Sequence, residues 1–364
     1  MLMESLLICS KDYKPKKWVF VFFAAVYFAA AGWMNHDDLL AEDIVFLKRS
    51  AIQSGRTRFQ GTIREFDSEN LYLVTSDGRK QTINTQRIAR VETADLSGRS
   101  SADRLFKSFK FEQANQAYQK AIAGEQRQWV KRELIAQQIL CQSALEENEK
   151  AIGLFLALSA GKPNHRFFHV IPVTWQFRPI IDSQKKVFDK MLSGNPLEQF
   201  IAASWSLDQH SNTVAIKVLR QLAGRDDPDG MMTRVSQLAA FQVYRCEISS
   251  LSNKDLLRWR RAIEKMHRLD RAGPIWMAGN LMQNNENYLS AAAEFLKLPI
   301  LYPEHYQLGA ASLEAAAIAL DRQGDRSAGN LVLRELANRY TTTVPGRRAM
   351  EKFPAGGSTD LEIR

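Results

Sequence analysis

The spacing of apolar positions changes twice along this chain, and each change marks a different kind of element. Residues 18–33 form one uncharged run. From 43 to 93 the apolar residues alternate, through Phe59, Gly61, Ile63 and Phe66, then Leu71 and Leu73, the turn dipeptide Asp77-Gly78, and Ile83, Ile88 and Val91. Several short strands with an Asp-Gly hairpin predict a compact, strongly bent sheet that closes as a small barrel. Beyond residue 97 the spacing becomes helical and one pattern recurs. Ala151, Phe155, Leu158 and Pro163 stand at offsets 0, 4, 7 and 12, and Ala291, Phe295, Leu298 and Pro303 repeat them. A small residue, an aromatic one turn later, an aliphatic and a stopping proline describe the second helix of a two-helix hairpin. The small residue admits the partner helix, and the other two fill the space between.

Other stretches break the helical spacing. Pro163, Pro172 and Pro179, with Val170, Ile171 and Val173, predict an extended linker over 162–179, after which helix resumes at Ile180. Asn195-Pro196 opens another helix carrying Phe200, Ala203 and Leu207, residues 226–230 read as a loop, and helices near 231–250 and 254–269 form a hairpin. Residues 341–364, rich in Pro, Gly and Thr, read as a mobile tail.

The repeated spacing resembles the tetratricopeptide (TPR) family. Its best copy is KFEQANQAYQKAI, where Phe111, Ala114, Tyr118 and Ala121 follow the family's order of aromatic, Ala, aromatic, Ala. Tyr288 adds the leading aromatic to the copy at Ala291. A further copy has Leu313, Ala316, Ala317 and Leu320 in its first helix, Gly324 in the turn, and Leu333 and Leu336 in its second, with Gly329 where Ala is usual. The stretch FQGTIREFDSENLYL resembles the first motif of Sm-like domains, with Gly61, Ile63, Phe66, Asp67 and Asn70 in order. Asn70 comes one residue early, and INTQRI stands where that family's second motif carries Arg-Gly. The resemblances imply a mainly α chain: an irregular TPR-like α-helical repeat array (α-solenoid) preceded by a small all-β barrel of Sm-like or SH3-like type. The corresponding domains are 42–96 for the barrel, 97–163 for TPR-like hairpins, 164–195 for the connector and 196–340 for further helical repeats, TPR-like at 275–340. Stacked hairpins present a groove that suits a protein or peptide.

Composition narrows the class. With 45% hydrophobic and 24% charged residues the chain is globular rather than disordered, and 49 Lys and Arg against 40 Asp and Glu leave a net charge of +9. That excess favours acidic partners or anionic surfaces. Within 42–96, however, nine basic residues face eight acidic ones, and a nucleic-acid footprint is basic on one side. The Sm-like set that would grip a base is also incomplete, so a nucleic-acid adaptor is the weaker alternative. Lys14, Lys16 and Lys17 ahead of the run 18–33, with small residues at its end, make residues 1–41 an export signal. Cleavage after Ala31, cleavage after Ala41, and retention as an anchor in the inner membrane all remain open. The expected location is the periplasm or cell envelope, with membrane contact only through an uncut anchor.

Candidate chemistry is sparse. The nucleophile-elbow, phosphate-loop and dinucleotide motifs are absent, so neither an enzyme nor a cofactor is expected. His165 and His169 have an i, i+4 spacing, but they sit in HRFFHVIPVTW with no carboxylate between them, which reads as an aromatic connector and not a metal site. An enzyme with a site drawn from scattered residues of 162–180 is the second alternative, and a deep polar pocket there would favour it. Cys141 and Cys246 fall on apolar helical stripes and read as core thiols. One surface feature stands out near Lys254. Trp259, Ala262, Ile263 and Met266 make an apolar stripe, and Arg258, Arg261, Lys265 and Arg268 occupy the other side, a cationic ridge suited to an acidic protein or peptide.

Overall fold

The computed structural model describes residues 42–48, 57–95, 97–160, 165–207, 212–225 and 230–353. Among them, five strands precede fourteen α-helices. The strands are β1 (Asp43–Leu47), β2 (Arg58–Phe66), β3 (Asn70–Val74), β4 (Lys80–Asn84) and β5 (Ile88–Glu92), in the order β4-β3-β2-β1-β5. β1 runs antiparallel to both β2 and β5, with Val45 opposite Phe59 on one side and Val91 on the other. The alternation buries Val45, Leu47, Ile63, Leu71, Leu73, Ile83 and Ile88. Gly61 is required by space, because a Cβ there would stand 2.2 Å from the Val74 carbonyl oxygen. Gly78, at φ 77°, closes the Asp77-Gly78 turn, across which Thr75 N donates to Arg79 O at 3.0 Å.

Two compact units divide the chain, and their boundary runs through this sheet and not at residue 96. β1, residues 58–62, the β3–β4 turn and β5 belong to one; residues 63–73, 81–86 and everything from Asp95 belong to the other. In the second unit the helices are α1 (Arg99–Lys107), α2 (Phe111–Gly124), α3 (Gln128–Ala144), α4 (Asn148–Ser159), α5 (Asp182–Met191), α6 (Pro196–Ser206) and α7 (Thr213–Ala223). They continue as α8 (Gly230–Glu247), α9 (Asn253–Lys265), α10 (Ala272–Asn284), α11 (Tyr288–Leu301), α12 (Tyr306–Gln323), α13 (Arg326–Arg339) and α14 (Val344–Lys352). Most consecutive helices pack on one another. α3 docks on residues 63–66 of the same unit: Trp129 is fully buried, lies 6.2 Å from the Phe66 ring and donates from Nε1 to Ile63 O at 3.2 Å.

Four of the helix pairs turn in the same way. One or two positions past the first helix, a residue adopts the left-handed conformation: Phe109 (φ 58°), Glu146 (φ 61°), Glu286 (φ 60°) and Gly324 (φ 94°). The next amide then donates five residues back, from Lys110 to Leu105 O, Glu147 to Gln142 O, Asn287 to Met282 O and Asp325 to Leu320 O, at 2.9 to 3.0 Å. This hydrogen-bond pattern ends a helix by satisfying carbonyls that would otherwise lack partners. Five residues after each left-handed position stands the small residue of the sequence pattern: Ala114, Ala151, Ala291 and Gly329, all buried. Phe111, Tyr118, Phe155, Leu158, Phe295 and Leu298 are buried at the expected offsets. Ala114 and Ala151 have no exposed surface, so replacing either by Leu should cost about 1 to 3 kcal/mol through overpacking. A thermal melt reads this directly; unchanged melting of both variants would mean that these positions do not set the helix approach.

The last of these pairs meets the first two. α12 packs against α3, Gln307 Nε2 donates to Ala144 O at 2.7 Å, and Tyr306 stacks among Phe111 (4.6 Å between ring centroids), Tyr340 (4.8 Å) and Phe109 (5.3 Å). One buried apolar cluster runs from Ala136 on α3 to Leu320 on α12. Two stretches differ from the sequence expectation. Residues 165–170 of the connector form a short 3₁₀ helix that buries Phe167 and Phe168. Within the stretch read as a mobile tail, residues 344–352 form α14, because Thr343 Oγ1 accepts from Gly346 N at 3.0 Å and Pro345 sits in the first turn.

Candidate functional site

The cationic ridge lies on α9. Asp255 starts the helix by accepting from the Ser252 amide at 3.0 Å, and Leu256, Trp259, Ile263 and Met266 are the buried stripe. Ala262, expected in that stripe, is exposed, and Leu256 takes the fourth place one turn earlier. Trp259 anchors the helix by stacking on Tyr244 of α8 (4.9 Å) and meeting Phe241 edge-on (5.5 Å). Arg258, Arg261, Lys265 and Arg268 are all exposed. Arg258 pairs with Asp255 at 3.0 Å, whereas Arg261, Lys265 and Arg268 form no ion pair among the described residues. The helix ends at Lys265, so Arg268 belongs to the following 3₁₀ turn, Arg268–Asp270, and three of the four cations share the helical face.

The connector is held by the array through its main chain. Thr174 O accepts from Arg245 Nη1 (2.6 Å), Gln242 Nε2 (2.8 Å) and Ser204 Oγ (3.1 Å); Pro172 O accepts from Trp205 Nε1 (2.8 Å), and Trp175 O from Trp276 Nε1 (3.1 Å). Arg245 also donates from Nη2 to Ser204 O (2.9 Å) and Leu207 O (3.4 Å), and its guanidinium lies 4.9 Å from the centre of the Phe177 ring. It is 3% exposed, and no carboxylate pairs with it among the described residues. Burial pushes its pKa down to about 10, which still leaves it charged at neutral pH. A guanidinium neutralised by carbonyl dipoles instead of an acid acts as a bolt between α8, the end of α6 and the connector.

Beside this bolt lies a cavity of about 120 Å³, lined by the connector, α3, α10 and the start of α12. The enzyme alternative asked for a deep polar pocket at the connector, whereas the lining of this cavity is mostly apolar. Trp175 and Trp205 form aromatic walls, with Trp205 stacked on Phe188 at 6.2 Å, while Leu140, Ile171 and Leu238 add aliphatic surface. Most of its charges are already matched. Asp270 accepts from Arg234 Nε (2.5 Å) and Nη2 (2.6 Å), and Arg178 donates to Glu146 at 2.8 Å. His169 uses Nδ1 with Arg166 O at 3.1 Å, and a carbonyl partner requires that this nitrogen carry the proton. Burial, followed by the nearby charges of His305 and Arg234, pushes the His169 pKa down to about 3, and burial likewise lowers that of His305. Both rings are neutral at pH 7. The hydroxyls are engaged elsewhere: Thr174 Oγ1 donates to Gln176 O and Tyr306 OH to Arg339 O.

Other residues singled out in the sequence have structural tasks. Asp67 Oδ1 accepts from the amides of Glu69 (2.8 Å) and Asn70 (2.7 Å), so it shapes the β2–β3 turn. Cys141 is a buried thiol pushed up to about 12 by burial, and Cys246 is half-buried. The side chain of His165 and the signal at 1–41 lie outside the described residues. Among the described residues, no group of three His, Cys, Asp or Glu is placed to hold a metal, and no helix is long and apolar enough to cross a membrane.

Compared with known proteins, the chain finds no counterpart: no family model, no curated protein and no solved structure matches it. Sequence reasoning missed Arg245, Trp175, Glu304 and His305. A partial signal existed for the first, since Leu238, Gln242 and Arg245 stand at i, i+4 and i+7, which places two polar residues on an apolar helical stripe. The cavity lining had none, because its members come from segments more than 100 residues apart in the chain.

Proposed function

We propose that the chain is an exported, non-catalytic scaffold whose TPR-like helical array binds a protein or peptide, with the N-terminal sheet as an Sm-like or SH3-like barrel that serves as adaptor or cap. The observation that carries this reading is the grip on the connector. Five side chains of the array, on Ser204, Trp205, Gln242, Arg245 and Trp276, hold a non-helical segment by its main-chain carbonyls. Helical arrays bind through extended concave surfaces, and side chains of this array already grip an extended segment by its main chain. Here the chain's own segment fills the place, so a partner is met on outward surfaces, of which the ridge on α9 is the most charged. The shared turns at Phe109, Glu146, Glu286 and Gly324 support the TPR-like assignment. For the barrel, the support is the run of five short strands in the order β4-β3-β2-β1-β5 with the tight Asp77-Gly78 turn.

The test uses the tagged full chain, expressed with its own leader in an exporting host, beside the variant Arg261→Glu with Lys265→Glu. The protein should be recovered from the envelope fraction. Partner capture by the parent should weaken with added salt. The variant should melt like the parent, because substitutions on a solvated face change stability by less than about half a kcal/mol, yet should lose most of the captured partner. Recovery in the cytosol removes the export part of the reading. Full retention of the partner by the folded variant removes the ridge.

A further inference from the structure

The cavity beside the connector offers chemistry that a scaffold does not use. Its lining carries Arg178, Asp270 and Glu304 as charged side chains. Arg178 is neutralised by Glu146 and Asp270 by Arg234, whereas Glu304 forms no ion pair or hydrogen bond among the described residues. Among the lining side chains the unmatched charge is therefore negative, while the nearby Arg245 guanidinium is turned onto main-chain carbonyls. Its aromatic walls are set in advance: Trp175 lies so close to Gly273 that a Cβ there would fall 1.7 Å from the indole, and Trp205 is fixed by Phe188 and the Pro172 carbonyl. Because His169 keeps its proton on Nδ1, its Nε2 is left as an acceptor. Aromatic faces, one carboxylate and a neutral imidazole acceptor are the elements that recognise an ammonium group.

We propose that this cavity binds a small organic cation, a protonated amine or a quaternary ammonium of a few non-hydrogen atoms, against Trp175 and Trp205 with Glu304 as its counter-ion. The size agrees: roughly 10–15 Å³ of such space holds one water, so about 120 Å³ admits several atoms but not a peptide side chain with its backbone. Anions are disfavoured because the Arg178 and Arg234 forks are spent on carboxylates and the Arg245 fork beside the cavity is spent on three main-chain carbonyls. The depressed pKa of His169 keeps its lone pair available through the neutral range. This assignment is independent of the protein-binding reading, since the ridge on α9 contributes none of the groups named.

The experiment titrates the purified protein with tetramethylammonium, ethylammonium and ethanolammonium chlorides, by calorimetry and by tryptophan fluorescence, at ionic strength held constant with sodium chloride. The neutral isostere tert-butanol is titrated in parallel. At least one of the ammonium ions should bind saturably with quenching, and tert-butanol should bind at least ten-fold more weakly. Glu304→Gln should weaken the ammonium ten-fold or more, and Glu304→Asp should retain more affinity than Glu304→Gln. Absence of saturable binding by all three ions, equal binding of tert-butanol, or unchanged affinity in Glu304→Gln would each overturn the proposal. The comparison of ammonium with alcohol uses the parent protein alone, so it decides the matter even where a Glu304 variant fails to fold.

Discussion

Replacing Arg245 by Ala should cost the helical unit about 3 kcal/mol, one of the two largest effects we expect from the structure. The carbonyls of Ser204 and Leu207 take charge-assisted hydrogen bonds from this guanidinium, and Thr174 O takes its shortest one. Thr174 O would keep Gln242 and Ser204 as donors; the other two carbonyls would lose this donor inside the protein. A net of about 1.5 kcal/mol or more for each bond to a charged group gives the total. Burying the cation has its own cost, visible in its lowered pKa, but net values taken from substitutions already contain that term. Arg245→Lys should recover only part of the loss, because an ammonium on a flexible stem does not reproduce a planar fork that reaches three acceptors. Denaturant melts of the three proteins measure this. Equal midpoints for parent and Arg245→Ala would show that the connector is held by the remaining donors.

Acid should destabilise the protein well above the range where carboxylates titrate. His169 has a folded pKa near 3 against an ordinary 6.5, and that of His305 is also lowered. Above pH 6.5 neither folded nor unfolded chain protonates these rings, and the full stability is present. As the pH falls below 6.5, the unfolded chain takes up protons that the folded chain refuses, so stability is lost progressively until the folded groups titrate. At pH 5 His169, still neutral in the fold, should cost about 2 kcal/mol, and His305 acts in the same direction. His305 and the cationic Arg234 face His169 and oppose its protonation, while Glu304 and Asp270 act on His305 in the opposite sense. Melting temperatures between pH 7.5 and 5 should therefore fall steeply in the parent and less in His169→Gln. A flat profile in the parent would mean that water reaches both rings.

Several elements were legible before any coordinates. The alternating stretch 43–93 became a five-stranded sheet with its Asp-Gly turn in place, and the offsets from Ala114, Ala151 and Ala291 placed the buried aromatics correctly. Helical and strand periods are local properties, so a few neighbouring residues suffice to reveal them. The ridge on α9 was legible for the same reason, and Arg268 fell off it because the helix stops at Lys265, a boundary that periodicity alone does not place.

What only the tertiary structure decided is everything that joins distant segments. Gln307 reaches Ala144 across 163 positions and Trp276 reaches Trp175 across 101. The acceptors in these bonds are main-chain carbonyls, which every residue owns, so the connector's own sequence carries no mark of how it is held. The meeting of Phe109, Phe111, Tyr306 and Tyr340, and the unpaired Glu304 beside two tryptophans, likewise exist only once the first and last hairpins have met. By itself, the sequence determined which residues turn inward within each hairpin, through periodicity and side-chain size. Which hairpins face one another, and what space is left between them, followed from packing of the whole chain, where contacts far apart in sequence decide the outcome.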